Sequence, residues 1–473
     1  MRIIGLGANS PSDAGYEVAN SLRFEDGSSD KLTRSTGTPD SEQIFTWSQW
    51  VKKTRGNSTY EIIQGFYNNS SNYLLVSFNQ DRIDVLNYEG GTTARKITTA
   101  KFRDVSAWYH IVVAVDTTQG TANNRIKIYV NGVQETDFST NSAPSQNANL
   151  GTNMTTTAIG VGEGGGIGYL SAYLAEVCYI DGTALDPTSF GEFDEDTNIW
   201  KPIDVSDLTF GTNGFYLDFE NSGSLGADVS GNGNNFTVSN LTSIDQSTDT
   251  CTNNFATLNP LQTDHSGNTS FSEGNNKFQA TTGDWVGTAS TQGTNTGKWY
   301  AEFKLSTLTT SALIGVATDV YMSSRGVTDY VGFTSGLPNY AYAKYFTSGV
   351  DANKGKIFQH DQTQNTYGSN TGGSTGDIIG IALDLDNNKA YWSVNGTWEN
   401  SADPSVGTNG YSIGAGTYQF GVWGYQSTSE SNFGSPPFTI SSGNSDGNGY
   451  GNFEYAVPSG YHALNTKNLA EYG

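Results

Sequence analysis

Short runs of alternating apolar and polar residues, each closed by a turn dipeptide, recur along this chain. Residues 125–130 alternate and run into Asn131-Gly132, and residues 389–394 run into Asn395-Gly396 in the same way. A period of two puts alternate side chains on opposite faces of a β-strand. An Asn-Gly pair favours the two-residue turn of a β-hairpin. The pattern therefore predicts an all-β protein.

The composition agrees with many short strands and polar turns. Of the 473 residues 57 are Gly, while aromatic residues make up 12% and charged residues only 15%. Aromatic side chains suit a pleated, half-buried surface, and Gly, Asn and Asp supply the tight turns between strands. We expect two antiparallel β-sandwich domains of jelly-roll type, with a short N-terminal arm and a Gly/Asn/Ser-rich linker.

Changes in local composition predict five segments. They are an N-terminal arm (1–20), a first sandwich (21–205), a connector with one strand (206–267), a second sandwich (268–457) and a polar C-terminal tail (458–473).

Charge and apolar content exclude several classes of function. The formal net charge of −23 argues against nucleic-acid binding, which needs basic patches. No run approaches the roughly 20 apolar residues of a membrane-spanning helix, so no membrane insertion is expected. The N-terminus lacks the apolar core of a secretory signal, which predicts synthesis in a cytoplasm without a signal peptide. Cys178 and Cys251 are expected to stay unpaired.

Several stretches in the first half carry a family resemblance. They are residues 21–27, 46–52, 108–116, 128–132 and 174–182, extended by 190–202, 214–219 and 253–260. Together they resemble the laminin-G-like, concanavalin-A-like jelly-roll family, in the form carried by virion proteins of tailed phages.

The second half has different marks. Residues 297–302, 314–316, 376–384 and 391–396 are similar to a SPRY domain. The two resemblances imply two β-sandwiches that recognise glycans or proteins through loops at their ends. Because fold does not determine function, the residues themselves must indicate a site.

Aromatic residues of the second module are the candidate ligand-binding residues. They are Tyr340, Tyr342, Tyr345, Trp423 and Tyr425. A tyrosine offers a flat apolar ring with a polar tip, which suits sugars and protein anchors. The alternation of residues 340–345 also fits a strand whose tyrosine face packs into the core.

One loop offers oxygen atoms at alternating positions. Asp228, Ser230, Asn232 and Asn234 are candidate Ca²⁺ ligands, because Ca²⁺ prefers six to eight oxygens. The alternative is an Asx-rich turn that satisfies its own backbone. No other cofactor is required.

Catalysis is not expected. The adjacent acids of residues 192–196 do not form the pair of carboxylates that flanks a glycosidic bond. Glu176 and Glu302 lie in apolar strands, where burial could raise a pKa, although an alternating strand usually turns its acid to water. His110 follows a Trp-Tyr pair and is expected to be structural.

These observations predict a phage virion structural protein, a tail fibre or surface appendage, that adheres non-covalently to host-surface glycan or protein. The arm would dock to other virion proteins, and a homo-oligomer, a trimer first, is expected on the virion surface. The alternatives are a capsid decoration or head-fibre protein and a polysaccharide-degrading glycoside hydrolase.

Overall fold

The computed structural model describes residues 15–56, 60–162, 168–262, 268–281, 283–324, 330–331, 340–368 and 373–473. It divides into two compact units, the first ending at Asn254 and the second running from Phe255 to Gly473. Antiparallel strands build each unit, so the all-β prediction is confirmed. Within the described residues, no helix is long and apolar enough to cross a membrane.

Within the residues that the structure describes, the first unit has two eight-stranded sheets and one two-stranded sheet. The strands are β1 (Ser21–Phe24), β2 (Lys31–Ser35), β3 (Ile44–Lys53), β4 (Glu61–Asn69), β5 (Asn72–Asn79), β6 (Arg82–Glu89), β7 (Thr92–Thr98), β8 (Trp108–Asp116), β9 (Ile126–Val130), β10 (Val133–Gln134), β11 (Phe138–Ser142), β12 (Thr156–Ile159), β13 (Ala172–Asp181), β14 (Gly191–Phe193), β15 (Trp200–Pro202), β16 (Phe215–Leu217), β17 (Thr237–Ser239) and β18 (Gln246–Ser247). The sheet orders are β10-β9-β8-β3-β13-β1-β18, with β16 beside β13, then β11-β7-β6-β5-β4-β12-β2-β17, and β14-β15.

The predicted alternation sets the core of this unit. Ile126 and Ile128 of β9 face inward into one apolar cluster that the two large sheets share, in which Trp47 stacks on Phe66. Burying an aliphatic or aromatic side chain of this size contributes about 1.5–3 kcal/mol. The turn after β9 has φ values of +49° at Asn131 and +78° at Gly132, the left-handed pair that the Asn-Gly signal predicts.

The segment predicted as a connector is different in the structure. Residues 206–254 belong to the first unit, because β16, β17 and β18 pair with β13, β2 and β1. Phe215 and Phe236 lie in its core. The predicted boundary at residue 205 therefore moves to residue 254. Strands of two or three residues are too short to show alternation, and the Gly and Asn between them form turns instead of a linker.

A buried ion pair ties the end of this segment to the first sheet. Lys52 Nζ lies 2.6 Å from Asp249 Oδ2, and both side chains are 1% exposed. The same ammonium donates to Asn254 Oδ1 at 2.7 Å, and the Trp108 indole donates to Asp249 Oδ1 at 3.2 Å. Each charge is thus neutralised by a partner, as burial requires.

The end of the predicted N-terminal arm also packs against the first unit. Val18 is buried beside Trp50, and its N–H donates to Thr252 Oγ1 at 3.1 Å. Residues 1–14 lie outside the described residues, so docking of the arm to other virion proteins stays a prediction. The packing against the first unit extends at least to Tyr16, whose hydroxyl donates to Glu176 Oε2 at 3.1 Å and lies 2.9 Å from the Tyr216 hydroxyl.

Among its described residues, the second unit forms one hydrogen-bonded network of thirteen strands with two short α-helices. The strands are β19 (Thr269–Ser272), β20 (Lys277–Ala280), β21 (Val286–Ala289), β22 (Lys298–Thr318), β23 (Ala341–Thr347), β24 (Lys356–Gln359), β25 (Gln364–Thr366), β26 (Ile378–Asp384), β27 (Lys389–Val394), β28 (Thr397–Trp398), β29 (Tyr411–Ser412), β30 (Tyr418–Asn432) and β31 (His462–Ala463), and the helices are α1 (Asp319–Ser324) and α2 (Thr466–Tyr472).

Two long strands fold this network into two layers. Strand β22 pairs with β30 from Glu302 to Thr318, with register shifts between Leu305 and Ser311. Before the shifts β22 also pairs with β26, and after them it pairs with β23. Trp299 from the first part and Ile314 from the second lie in the same buried cluster. The sheet therefore folds over itself around one core.

The predicted polar tail is part of this unit. Strand β31 pairs with β22 in parallel, and the Asn465 side chain caps α2 by accepting from the Asn468 N–H at 2.9 Å. Leu464 is buried in the core. The segment 458–473 is therefore ordered, and its polar composition reflects caps and turns.

Candidate functional site

The aromatic residues predicted to bind a ligand lie on both faces of one layer. Tyr342 of β23 points into the core between the layers, whereas Tyr345 and Trp423 lie in a second cluster on the opposite face. Trp423 has no exposed surface, and Tyr342 is 4% exposed. Tyr345 is 8% exposed, so the packing alternative describes all three of these side chains. Tyr340, half-buried, stacks on Tyr342.

Tyr345 and Tyr425 meet around a residue that the sequence analysis did not select. Trp285, just before β21, stacks on Tyr330 with ring centroids 4.4 Å apart, and lies 5.9 Å from Tyr425 and 6.3 Å from Tyr345. Trp285, Tyr330 and Tyr425 are half-buried. We call these four residues the Trp285 cluster. Trp285 follows a Gly-Asp turn, where no alternation marks it.

Polar groups adjoin the Trp285 cluster. The Tyr345 hydroxyl lies 3.0 Å from Ser311 Oγ and donates to Asp351 Oδ2 at 3.2 Å, and Asp351 is exposed. Beside Tyr425, Thr310 donates to the exposed Gln426 at 3.0 Å. Flat aromatic faces next to carboxylate and amide groups can bind a sugar ring or a protein side chain.

The Asp228 loop satisfies its own backbone. Asp228 Oδ1 accepts from the N–H groups of Tyr216 and Ser230 at 3.0 Å each, and its Oδ2 accepts from the Asn234 N–H at 2.7 Å. The Asn232 and Asn234 amides donate to the carbonyl of Gly214. The hydrogen bonds are those of the Asx-turn alternative.

A cation of the protein also lies at this loop. Arg34 donates to Asn234 Oδ1 at 3.1 Å and to the Asn213 carbonyl at 2.6 Å. Throughout the part of the chain that the structure describes, no group of three or more His, Cys, Asp and Glu side chains could hold a metal ion. The Ca²⁺ prediction and the Asx-turn alternative differ in the change of melting temperature that each expects on chelation.

Chelation should separate these alternatives. We expect EDTA to leave the melting temperature unchanged, whereas Asp228→Ala should lower the free energy of unfolding by about 1–3 kcal/mol, because backbone donors lose their acceptor. Calorimetry with and without EDTA measures both effects. A fall in melting temperature on chelation that Ca²⁺ reverses, and that Asp228→Ala abolishes, would establish the Ca²⁺ site instead.

His110 forms a pair with a serine, but its tautomer does not suit catalysis. Ser48 Oγ lies 2.9 Å from His110 Nε2, and the Trp200 indole donates to His110 Nδ1 at 3.0 Å. Because an indole can only donate, Nδ1 accepts and Nε2 carries the proton toward the serine. Burial also lowers the pKa of His110 to about 3. His110 therefore holds its neighbours in place, as expected.

The two acids in apolar strands are also held by hydrogen bonds. Glu176, on a bulge of β13 with φ +51°, accepts from the Tyr216 and Tyr16 hydroxyls at 2.7 and 3.1 Å, and burial raises its pKa to about 7. Glu302 accepts from the Tyr300 hydroxyl at 3.0 Å and the Tyr455 N–H at 2.8 Å. In each unit the acid connects separate segments of the chain.

The chain is similar to one known family and to several solved structures, and the family match agrees with the architecture of the first unit. Residues 26–187 match the laminin-G-type model of the concanavalin A-like lectin/glucanases superfamily. The chain is similar to the SPRY domain of human HERC1, with 14% identity and a TM-score of 0.28, over 37% of this chain and 96% of that one. It is also similar to the PSpry domain of TRIM65, with 14% identity and a TM-score of 0.26, over 37% of this chain and 87% of that one. No curated protein matches.

Proposed function

We propose that this protein is a phage virion structural protein, a tail fibre or surface appendage, that adheres non-covalently to host-surface glycan or protein. The observation that carries the proposal is the Trp285 cluster, where half-buried aromatic rings adjoin Asp351 and Gln426. The match of residues 26–187 to a superfamily that includes lectins supports a binding role for the first unit as well.

The proposed mechanism is stacking combined with hydrogen bonds. The apolar face of a sugar ring, or an apolar side chain of a host protein, lies against Trp285 or Tyr425, and the neighbouring polar groups select its orientation. Each such contact is weak. A homo-oligomer on the virion surface, a trimer first, presents several copies, and multivalency then raises the overall affinity without new contacts.

Substitutions in the Trp285 cluster test this proposal. We expect Trp285→Ala and Tyr425→Ala to weaken binding to host cells or to a glycan array about tenfold or more, since losing one aromatic anchor costs roughly 1.4 kcal/mol or more. Tyr455→Ala, which removes a half-buried tyrosine outside the cluster, is the matched control. Unchanged binding by both cluster variants, with native melting temperatures, would contradict the proposal.

The position on the particle is tested separately. We expect a cryo-EM reconstruction of the particle to show copies on the tail or on a projecting appendage. Copies spread over the capsid lattice would favour the decoration alternative, and a particle without this chain would overturn the virion assignment.

A further inference from the structure

A concave surface of the second unit lies outside the Trp285 cluster. A cavity of about 580 Å³ is lined by Gly368, Val394, Thr397, Trp398, Glu399, Asn400 and Ser401. We call it the Trp398 cavity. Its volume lies within the roughly 300–1,000 Å³ of small-molecule sites. It is built on the β27–β28 hairpin, whereas the cluster is built next to β21, β23 and β30.

The wall of this cavity combines one aromatic ring with polar groups. Trp398 is half-buried and meets Tyr300 edge-on, with ring centroids 6.4 Å apart. Thr397, Asn400 and Ser401 supply hydroxyl and amide groups around it. Stacking on an aromatic face together with several neutral hydrogen-bonding groups is suited to a ring that has one apolar face and hydroxyls at its edge.

The charge at the cavity is balanced. Glu399 Oε2 lies 3.6 Å from Lys344 Nζ, and the side chains of this pair are 6% and 0% exposed. The same ammonium donates to the Tyr367 carbonyl at 3.1 Å. A buried ammonium beside the carboxylate cancels its charge toward the cavity, so the site favours a neutral ligand over a strongly charged one.

The cavity wall is fixed before any ligand arrives. Asn400 and Ser401 both have left-handed backbones, with φ +58° and +51°, and such strain is concentrated at functional sites. Asn409 holds this turn through its amide, which donates to the Ser401 carbonyl at 3.1 Å, and through its carbonyl, which accepts from Asn400 Nδ2 at 3.3 Å. A preorganised wall loses little entropy on binding.

Gly368 is required for this arrangement. A Cβ at this position would lie 2.0 Å from Glu399 Oε2 and 2.8 Å from the Asn400 nitrogen. The chain therefore approaches the carboxylate more closely than any other residue type allows, and the Glu399–Lys344 pair is enclosed at the cavity edge.

We propose that the Trp398 cavity is a binding site for a neutral saccharide, one or two sugar rings in size, that stacks on Trp398. The inference does not depend on the Trp285 cluster or on a virion setting, because it rests on the cavity alone.

The test uses the full chain and neutral sugars. Saturation-transfer NMR and calorimetry with glucose, galactose, mannose, N-acetylglucosamine, lactose and maltose should detect at least one ligand. We expect Trp398→Ala to weaken its binding about tenfold or more, Trp398→Phe to retain most of it, and Thr397→Arg, at an exposed lining position, to block it. Tyr88→Ala, which removes a half-buried tyrosine of the first unit, is the matched control and should bind the sugar as the parent does.

Several outcomes would overturn the inference. They are no binding by any of these sugars at tens of millimolar, binding that Trp398→Ala and Thr397→Arg leave unchanged, or binding of glucosamine or glucuronate without binding of any neutral sugar. If Trp398→Ala does not fold, the inference is tested by the loss of binding in Thr397→Arg and its retention in Trp398→Phe. Loss of host-cell binding in Trp285→Ala, with the sugar binding that Trp398→Ala weakens still present, separates this site from the proposed adhesion surface.

Discussion

Replacing Asp249 by alanine is expected to lower the free energy of unfolding of the first unit by about 3–5 kcal/mol, the effect of leaving one partner of a buried ion pair without the other. The Lys52 ammonium is 1% exposed, 2.6 Å from Asp249, and solvent cannot replace the carboxylate. The loss corresponds to a fall in melting temperature of roughly 10 °C for a unit of this size.

Differential scanning calorimetry measures this loss, and the transition of the first unit should shift. Glu192→Ala is the matched control, because the Glu192 side chain is 59% exposed and 3.4 Å from Lys201, so its ion pair contributes little. The double variant Lys52→Met/Asp249→Leu should recover much of the stability, since an apolar pair needs no charge compensation. An unchanged melting temperature in Asp249→Ala would mean that the Lys52–Asp249 pair does not stabilise the first unit.

Acid should destabilise the first unit through His110. Its folded-state pKa is about 3, whereas the ordinary value is near 6.5. Between these two pH values the unfolded chain binds a proton that the folded chain does not, so stability is complete above about pH 6.5 and is lost as the pH falls. At pH 4.5 the loss from this group is about 2.7 kcal/mol, two pH units at 1.36 kcal/mol each.

His110→Gln isolates this effect. A glutamine offers a neutral donor toward Ser48 and an acceptor toward Trp200, and it does not titrate. We expect urea titrations to show a variant that is less stable than the parent at pH 8, with the difference smaller by about 2.7 kcal/mol at pH 4.5. Glu176 acts in the opposite direction, because its raised pKa favours the folded chain as the pH falls below 7, but it is common to both proteins. A difference independent of pH would show that His110 can be protonated in the fold.

Local pattern was enough to predict the longer strands and their turns. The Asn395-Gly396 turn has φ values of +48° and +76°, as its dipeptide indicates, and β27 before it covers residues 389–394 as predicted, although both of its faces are buried. Such features depend on neighbours along the chain. Strand β18, with two residues, and strand β31, also with two, form because they pair with strands distant in sequence, and nothing local marks them.

For the candidate sites as well, the sequence predicts what depends on neighbouring residues and not which distant residues come into contact. Periodicity indicates that Tyr342 and Tyr345 face opposite ways, but only packing decides that Tyr345 meets Trp285, 60 residues earlier in the chain. The Asp228 loop has oxygens that suit either Ca²⁺ or a hydrogen-bonded turn. Arg34, 200 residues away along the chain, donates a hydrogen bond to Asn234 of this loop. The spacing of residues in the sequence does not predict such a distant contact.

The place where the chain enters and leaves the first unit has a mechanical consequence. Ser21, at the start of β1, is paired with Ser247, at the end of antiparallel β18. A tensile force along the chain therefore loads this pair at one end and opens it one hydrogen bond at a time, where a shearing geometry would load all bonds together. Force reaches β18 only after Asp249 has separated from Lys52. In the proposed adhesion role the chain is pulled between a particle and a surface, and forced unfolding then depends on the unfolding rate. The Lys52–Asp249 pair, together with the Asn254 and Trp108 hydrogen bonds beside it, raises the load at which the sheet begins to open.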